Sequence, residues 1–442
     1  MKRKRVISVL LIVMLVLSCT GCKKELPIDP DAVTEVDNVQ TGTEENITQE
    51  DTTSAETVTK MVPEEGANLV YWTSSNELEY AKIVAQNFEA EYGVPVTVEE
   101  NGLGNNDKVA LGGPAGTAAD VFMCTHDTFQ SGLNSGIYLE FDDAIANELK
   151  KTVNEVGIKT VTSNGKIYGV PYALETTCLF YNKDLVGDTP ATTFEEIIEK
   201  AKTFNDPDNN LFYFLYKIGD GYKSYPMLSA YGFSLFGADG TDEDNPGFDS
   251  DEFEKGLELI SSLKEIMPMS ATDLSNEGSL RTQFVEGKLA YFISGPWDIT
   301  TIKETGVNFG VSVFPTYNGR ALTPFAGVTN AHVSAYTKYP VAAQLFAQYL
   351  VNDDSANLLY SVANKIPTLM DVSKVTGLSE DEYAKPFVEQ FGNSVPMPSV
   401  SRISYYWNIS AALVQSVFEQ QLTPAEGRAK AISDWNNQLA SE

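Results

Sequence analysis

The amino-acid sequence predicts an α/β protein with two lobes, because strand-like and helical segments alternate and the chain is too long for one core. Leu69–Trp72 is strand-like, residues 78–92 carry apolar side chains at helical spacing, and Val94–Val98 and Asp120–Met123 are further strand-like segments. Strand, helix and strand in this order predict a parallel sheet with right-handed crossovers. Residues 66–442 exceed what a single core usually serves, so two α/β lobes are expected.

The same alternation continues to the C-terminus. A helix ending near Phe204 is predicted to begin at a capping box formed by Thr193 and Glu196. Further helices are predicted over 249–266, over 340–351 and from 404 onward, and further strands over 289–293 and 308–315. Ligands of such sheets bind beyond the carboxyl ends of the strands, so the informative residues are those that directly follow a strand. These positions come after Trp72, Met123, Pro171 and Ile293.

The N-terminus predicts export with a lipid anchor. Four basic residues, Lys2–Arg5, precede the apolar run Val6–Leu17, which is too short to span a bilayer and is typical of a signal peptide. A small residue followed by Cys at the end of this run is similar to a bacterial lipobox, so residues 1–22 are predicted to be a lipoprotein signal peptide with Cys22 acylated. Acylation of Cys19, or an ordinary signal peptide without lipid, remains an alternative.

The segment that follows, residues 23–65, has the composition of a disordered acidic tether. It is rich in Asp, Glu and Thr and almost free of aromatic residues, so it cannot bury enough surface to fold. The whole chain has a net charge of −30, which argues against nucleic acid and anionic lipid as partners. Lipid alone is therefore expected to hold the protein at the membrane. Two cysteines, Cys124 and Cys178, lie among apolar residues and are predicted to be buried free thiols.

Evidence for an enzyme, a metal or a cofactor is missing from the sequence. The two histidines, His126 and His332, are far apart, and the chain lacks a metal-spaced His/Cys cluster, a nucleophile elbow and a phosphate-binding loop. The sequence therefore predicts neither metal nor cofactor. It is rich in aromatic residues, with 22 Phe, 21 Tyr and 4 Trp, and has isolated carboxylates near strand ends. This combination suits sugars, because rings stack on aromatic faces and carboxylates accept hydroxyl groups.

Ten short segments stand out between about residue 67 and the C-terminus: Leu69–Trp72, Ala119–Phe122, His126–Asp127, Tyr138–Glu140, Asn164–Pro171, Glu175, Tyr181–Asp184, Gly295–Trp297, Gly310–Pro315 and Phe325–Gly327. On these segments the body resembles the maltose/maltodextrin-binding protein family, the solute receptors of ATP-binding-cassette importers. The resemblance implies a periplasmic-binding-protein-like fold with a hinge and a ligand cleft between the lobes.

The resemblance also implies which residues contact the ligand. They are two acids after strands, an acid with its stacking tyrosine, two tryptophan platforms and a residue of the first loop: Asp127, Glu175, Asp220, Tyr222, Trp297, Trp407 and Asn76. Two positions depart from the family pattern. Thr128 stands where the family has Arg, and Asn76–Glu77 stands where it has an Asp–Lys pair, so an α-glucan with altered length or linkage is expected.

Each of these residues also has a structural interpretation. Trp297 and Trp407 could belong to the core, Tyr222 and Tyr225 could pack a loop, and Asp127 could pair with His126. Glu175 could be a solvated loop acid.

The resemblance further implies lobes of residues 66–174 with 328–378 and of 175–327 with 379–442. Crossover strands near 173–175 and 325–329 would form the hinge, and lobe closure on the sugar would present both lobes to the membrane subunits of the importer. The protein is expected to be a monomer on the extracytoplasmic face of the membrane. Two alternatives remain: a receptor of the same fold for another solute, above all another oligosaccharide, and a secreted glycoside hydrolase using Asp127 and Glu175.

Overall fold

The computed structural model describes residues 61–102 and 104–442. The predicted signal peptide, the acylated Cys22 and most of the predicted tether lie outside the described residues. Between Met61 and Glu442 no described helix has the length and apolar character that crossing a membrane requires.

Strands and helices alternate along the described chain, as the sequence predicts. The strands are β1 Leu69–Thr73, β2 Val96–Glu100, β3 Val121–Thr125, β4 Thr162–Ser163, β5 Lys166–Ile167, β6 Val170–Glu175, β7 Cys178–Asn182, β8 Phe212–Leu215, β9 Leu289–Ser294, β10 Phe309–Ser312, β11 Thr316–Tyr317, β12 Arg320–Ala321, β13 Phe325–Val333, β14 Ile366–Pro367 and β15 Val395–Pro396.

The helices fall between these strands and fill the C-terminal part of the chain. They are α1 Leu78–Tyr92, α2 Asn105–Gly112, α3 Phe129–Asn134, α4 Asp143–Thr152, α5 Glu155–Lys159, α6 Lys183–Val186, α7 Phe194–Phe204, α8 Gly221–Leu228, α9 Asp251–Ser262, α10 Glu277–Val285, α11 Ile299–Thr305, α12 Pro340–Tyr349, α13 Asp353–Ala363, α14 Lys385–Gly392, α15 Ile403–Phe418 and α16 Pro424–Leu439.

The larger sheet has the order β14-β6-β13-β3-β1-β2, with β15 paired to β13. Its β1 lies parallel to β2 and β3, as predicted for strands joined by helical crossovers. The prediction of a parallel sheet fails at β13, which lies antiparallel to both β3 and β6. The reason is that β13 enters this sheet directly from the other lobe, without the helical crossover that sets a parallel direction.

The smaller sheet has the order β10-β7-β9-β8 and is also mixed. Its β7 is antiparallel to β9 and β10, while β8 and β9 are parallel. The chain leaves the larger sheet at Glu175 and enters the smaller one at Cys178, so only Thr176 and Thr177 separate the two sheets there. Both cysteines of the described chain, Cys124 and Cys178, are buried free thiols as predicted.

Each sheet has its own core. One cluster of buried side chains packs α1, α4 and α12 against the larger sheet, around Tyr71, Phe88 and Phe346. Another packs α7, α9 and α15 against the smaller sheet, around Phe180 and Phe292. Separate cores of this kind make a two-lobe α/β fold, because each lobe buries its own apolar faces.

Local sequence explains where several helices begin and end. Gly93 ends α1 in the left-handed conformation at φ 69°, which a residue without a side chain adopts at little cost. Thr193 caps α7 by accepting the backbone N–H of Glu196, but the Glu196 carboxylate accepts the N–H of Thr192 and not that of Thr193. The reciprocal capping box predicted there is therefore shifted by one residue.

Residues 61–65, the end of the predicted tether, are part of the folded body. The Glu64 carboxylate accepts the backbone N–H groups of Val341 and Ala342, at 2.7 and 2.9 Å, in the first turn of α12. Met61 packs against the core of the larger sheet. A carboxylate at a helix N-terminus satisfies donors that the helix leaves free, so this contact fixes the point where the chain enters the lobe.

Candidate functional site

A cavity of about 730 Å³ lies between the two lobes, and all seven residues predicted to contact a ligand line it. Most of the residues around it follow strands of the two sheets. The lining is Ser74, Ser75, Asn76, Gly102, Met123, Thr125, Asp127, Glu175, Asp220, Tyr222, Lys223, Glu277, Gly278, Arg281, Trp297, Asp298, Gly327, Val328, Thr329, Lys365, Met397 and Trp407.

Asp127 lies in a single helical turn, residues 126–128, directly after β3. The neighbouring His126 fixes this turn: its Nδ1 accepts the N–H of Val328 at 2.9 Å, and its Nε2 donates to the Met397 carbonyl at 2.7 Å. Both ring nitrogens bind backbone groups, so the ion pair of His126 with Asp127 considered from the sequence does not form. Burial lowers the pKa of His126 and outweighs the negative charge of Asp127, which would raise it. The neutral form of the ring is therefore favoured.

The Asp127 carboxylate connects the two sides of the cavity. Its Oδ2 accepts the indole N–H of Trp407 at 3.0 Å, and Trp407 lies on α15 beside the smaller sheet. Its Oδ1 is buried without a hydrogen-bond partner among the described residues. A buried carboxylate oxygen without a donor is costly. Oδ1 is closed to solvent in this arrangement, although Asp127 as a whole lines the cavity.

Glu175, at the end of β6, is held by charge. Its Oε1 accepts the Thr329 hydroxyl at 2.8 Å and the Lys365 ammonium group, which also contacts the fully buried Glu77. Burial alone would lower the pKa of Lys365, but the carboxylates of Glu175 and Glu77 outweigh it and raise the pKa above its ordinary value. Lys365 is therefore a permanent cation between two acids.

Asp220 and Tyr222 lie at the beginning of α8. The Asp220 side chain is the N-cap, accepting the N–H groups of Tyr222 and Lys223 at 3.0 and 3.2 Å, and it pairs with Lys217 at 3.0 Å. Much of its acceptor capacity is thus used inside the protein. The Tyr222 hydroxyl donates to the Phe325 carbonyl at 3.4 Å, and burial, with the charge of Glu175, raises the pKa of that hydroxyl.

Four aromatic residues of α8 and α15 divide between the core and the cavity. Tyr225 is buried in the core, with its ring centroid 3.7 Å from that of Phe325. Tyr222 and Trp407 line the cavity. Tyr406, the neighbour of Trp407, is fully buried, so adjacent aromatic residues of α15 face different ways, as expected from helical spacing.

Trp297 lies in a single helical turn, residues 296–298, directly after β9. Its ring covers Gly295, where any β-carbon would overlap the indole. The indole N–H donates to Glu277 Oε1 at 3.3 Å, and the Lys223 ammonium group lies 5.8 Å from the ring centroid. Burial would raise the pKa of Glu277, but Lys223 outweighs this and lowers it, so the residue is a carboxylate.

The sequence did not indicate the charged residues Lys223, Glu277, Arg281 and Lys365, which also line the cavity. Their partners are distant in sequence: Lys365 is 190 positions from Glu175, and Lys223 is 54 from Glu277. One local signal was present for these residues: Glu277 and Arg281 are four positions apart, so on a helix their side chains share one face.

The two departures from the family pattern are also visible. Thr128 does not line the cavity, and its hydroxyl donates to the Thr125 carbonyl at 2.8 Å. Asn76 lines the cavity, whereas Glu77 is fully buried beneath it against Lys365.

The described residues contain no group of three or more His, Cys, Asp or Glu side chains placed to hold a metal ion. The cavity instead combines carboxylates, ammonium and guanidinium groups with three aromatic side chains. Such a lining can bind a solute that has both a flat apolar face and several hydrogen-bonding groups.

Comparison with known proteins agrees with this fold. The profile of a family described as bacterial extracellular solute-binding protein matches residues 84–386. The maltooligosaccharide ABC transporter solute-binding lipoprotein of Streptococcus pneumoniae (strain ATCC BAA-255 / R6) is 31% identical over 346 residues, covering 77% of this chain and 81% of the relative. The galactooligosaccharide-binding protein of Bacillus subtilis (strain 168) is 27% identical over 385 residues, covering 85% of this chain and 90% of the relative.

Solved structures give the same result. The crystal structure of MalX from Streptococcus pneumoniae in complex with maltopentaose superimposes with a TM-score of 0.76 at 29% sequence identity. The match covers 84% of this chain and all of that chain, 100%. The likeness therefore includes both lobes and the cavity between them.

Proposed function

Because the chain belongs to the bacterial extracellular solute-binding protein family, we propose that it captures a maltodextrin-type oligosaccharide in this cavity and delivers it to an ABC importer. One observation carries the proposal. The cavity is lined by the carboxylates of Asp127 and Glu175 together with the rings of Tyr222, Trp297 and Trp407. A pyranose needs both features, an acceptor for its hydroxyl groups and a flat surface for its C–H face.

The size of the cavity supports an oligosaccharide. About 730 Å³ is within the range of roughly 300–1,000 Å³ that is typical of small-molecule sites. Asp127, Glu175, Asp220, Tyr222, Trp297, Trp407 and Asn76 are the proposed contact residues. Among them Asp127 is the principal hydroxyl acceptor, since Asp220 is already occupied as a helix cap.

A different oligosaccharide is the second candidate. The Bacillus subtilis relative, named for galactooligosaccharide, covers more of this chain than the Streptococcus pneumoniae relative, named for maltooligosaccharide, although it is less identical. Of the two changed polar positions, Asn76 lines the cavity and Thr128 does not, so Asn76 is the one at which sugars with different hydroxyl orientation would be distinguished.

Binding is proposed to act through lobe closure. The hydrogen bond from Trp407 to Asp127 already joins the two sides of the cavity, and a sugar contacting both sides would favour the same closed arrangement. The short passage Thr176–Thr177 and the entry to β13 at Phe325 are the proposed hinge segments. The closed form would then present both lobes to the importer.

The proposed location is the extracytoplasmic face of the cell membrane. The relatives from Streptococcus pneumoniae are named lipoproteins, which supports acylation of Cys22 and a tether from residue 23 onward. Partners are therefore the sugar, the membrane subunits of the importer and the bilayer through lipid alone, with the protein as a monomer and without nucleic acid.

The proposal separates binding from catalysis. Incubating the protein with maltotetraose should leave the sugar intact, as followed by chromatography of the products. Hydrolysis that disappears in both Asp127→Ala and Glu175→Ala would instead identify a glycoside hydrolase.

The direct test is titration calorimetry with maltose, maltotriose, maltotetraose and a galactooligosaccharide, preceded by a thermal-shift screen of the same sugars. We expect micromolar or tighter binding of at least one α-glucan and weaker binding of the galactooligosaccharide. Binding of the galactooligosaccharide alone would retain the fold and family but replace the ligand.

A further inference from the structure

Helix α10 carries two charged side chains that neither the resemblance nor the relatives assign to a role. Glu277 and Arg281 are four residues apart on α10, so they share one face of the helix, and both line the cavity beside Trp297.

The bonds of Glu277 are concentrated on one oxygen. Its Oε1 accepts the Lys223 ammonium group and the Trp297 indole N–H at 3.3 Å, and it lies 3.1 Å from the Ser294 hydroxyl oxygen. Its Oε2 receives no hydrogen bond from the described residues, and the side chain is 25% exposed. One oxygen therefore anchors the carboxylate, and the other remains an open acceptor at the cavity.

Arg281 is anchored in a similar way. Its Nη1 donates to Asp298, whose other oxygen accepts the Ser294 hydroxyl at 2.6 Å. Asp298 is 1% exposed, whereas the Arg281 side chain is 33% exposed. Guanidinium has five N–H donors, so most of them stay available after this bond forms.

The two anchored groups lie next to the aromatic face through shared partners. Trp297 donates to Glu277, and Ser294 bridges Glu277 and Asp298. The cavity thus contains a free acceptor, Glu277 Oε2, and free donors on Arg281 one helical turn away, and Glu277 is bonded to the indole N–H of Trp297. The opposite charges of Glu277 and Arg281 cancel, so the site suits neutral groups that both donate and accept hydrogen bonds.

We infer that Glu277 and Arg281 form a sugar subsite with Trp297, in which a neutral hexose ring stacks on the indole while Glu277 accepts one ring hydroxyl and Arg281 donates to its neighbour. The inference rests on the proposed function, since it concerns the same cavity. It adds two specificity-determining residues and assigns them to the unit that stacks on Trp297.

The test uses two conservative variants. Arg281→Lys keeps the positive charge beside Asp298 and removes the planar set of donors, and Glu277→Gln keeps the shape but removes the charge. Glu286→Gln is the matched control, because Glu286 follows the same helix, is exposed and does not line the cavity. Calorimetry with the tightest-binding α-glucan should show a loss of affinity on the order of tenfold for each site variant and no change for the control.

Monodeoxy analogues of that sugar, each lacking one hydroxyl, separate direct contact from positioning of Trp297. If Glu277 contacts the sugar directly, at least one analogue should bind the unsubstituted protein and Glu277→Gln equally well. That analogue lacks the hydroxyl group that Glu277 accepts, so the substitution has no further bond to remove. Equal weakening of every analogue, or unchanged affinity of both variants for the parent sugar, would overturn the inference. Thermal melting shows whether each variant is folded. If Glu277→Gln does not fold, because the buried Lys223 ammonium group has lost its charged partner, Arg281→Lys still tests the inference.

The failure of the proposed function has a different signature. If the unsubstituted protein binds none of the sugars, both the function and the subsite are wrong. If it binds and the two variants behave like Glu286→Gln, only the subsite is wrong.

Discussion

The two sides of the cavity differ in chemistry. The side built on the larger sheet contributes Asn76, Asp127 and Glu175 and, among the described lining residues, no aromatic ring. The side built on the smaller sheet contributes all the lining rings, Tyr222, Trp297 and Trp407. Hydrogen bonds to carboxylates are directional and select hydroxyl orientation, whereas ring stacking tolerates many pyranoses. The larger-sheet side, the polar side, thus lacks a stacking surface, whereas the smaller-sheet side, the aromatic side, combines its rings with the charged groups of Glu277 and Arg281.

The two sides also differ in how they are supported. Glu175 and Glu77 depend on a single buried cation, Lys365, which comes from a distant part of the chain. Trp297 is positioned mainly by Gly295 and by Glu277, both nearby in sequence. The polar side should therefore be more sensitive to the loss of one remote residue.

The largest expected effect is on stability, from Lys365→Met. Removing the cation leaves Glu77 and Glu175 without their shared partner, and breaking a buried ion pair in this way costs about 3–5 kcal/mol. Urea unfolding of the variant should show a loss of this size. Lys374→Met, which removes an exposed lysine paired with Asp353, is the control and should cost no more than about 0.5 kcal/mol. Comparable losses in the two variants would mean that Lys365 does not support this side.

The next effect is on affinity, from Trp297→Ala on the aromatic side. Loss of stacking and of buried apolar surface should cost about 2 kcal/mol, or roughly 30-fold in Kd for the tightest-binding sugar, measured by calorimetry. Tyr336→Ala removes an exposed ring outside this cavity and should leave Kd unchanged. If both variants bind normally, the aromatic side does not supply the affinity.

A smaller loss of affinity, with a change of selectivity, is expected from Asp127→Asn on the polar side. The amide keeps the shape of the side chain but removes the charged acceptor that Asp127 brings to the cavity, which should cost about 1.5 kcal/mol. Measured over a panel of α-glucans and galactooligosaccharides, the ratio of affinities should shift more than it does for Trp297→Ala. If Trp297→Ala shifts the ratio of affinities more than Asp127→Asn does, the aromatic side and not the polar side determines selectivity.

The most gradual effect is acid sensitivity of the larger-sheet lobe. Burial lowers the pKa of His332 to about 4, whereas an unfolded histidine titrates near 6.5. Below about pH 6.5 the unfolded state therefore binds a proton that the folded state does not, and stability falls until the pH approaches 4. The slope from this residue is on the order of 1 kcal/mol per pH unit.

Urea unfolding between pH 7 and 4 tests this expectation by comparison with His332→Asn. The variant should lose less stability on acidification than the unsubstituted protein, even if it is less stable at pH 7. Parallel pH profiles would show that His332 does not titrate in this way. Both histidines of the chain, His126 and His332, contact the larger sheet, so the part of the acid sensitivity that comes from buried histidine belongs to that lobe.

Much of the fold could be predicted from sequence, because strand and helix signals are local. The residues that line the cavity came from the family resemblance, although Asp127 and Trp297 also follow strands and helical spacing separates Trp407 from the buried Tyr406. The direction of β13 could not be predicted, since it depends on a return from the other lobe. Lys365 was missed for the same reason: its partners meet it only after the chain has folded.

The anchoring of Glu64 on α12 has a mechanical consequence. Tension applied through the N-terminal segment enters the protein at the first turn of α12 and is carried by the lobe of the larger sheet. Under the proposed lipid anchor, the larger-sheet lobe would be the fixed frame, and the smaller-sheet lobe with its aromatic rings would be the moving arm.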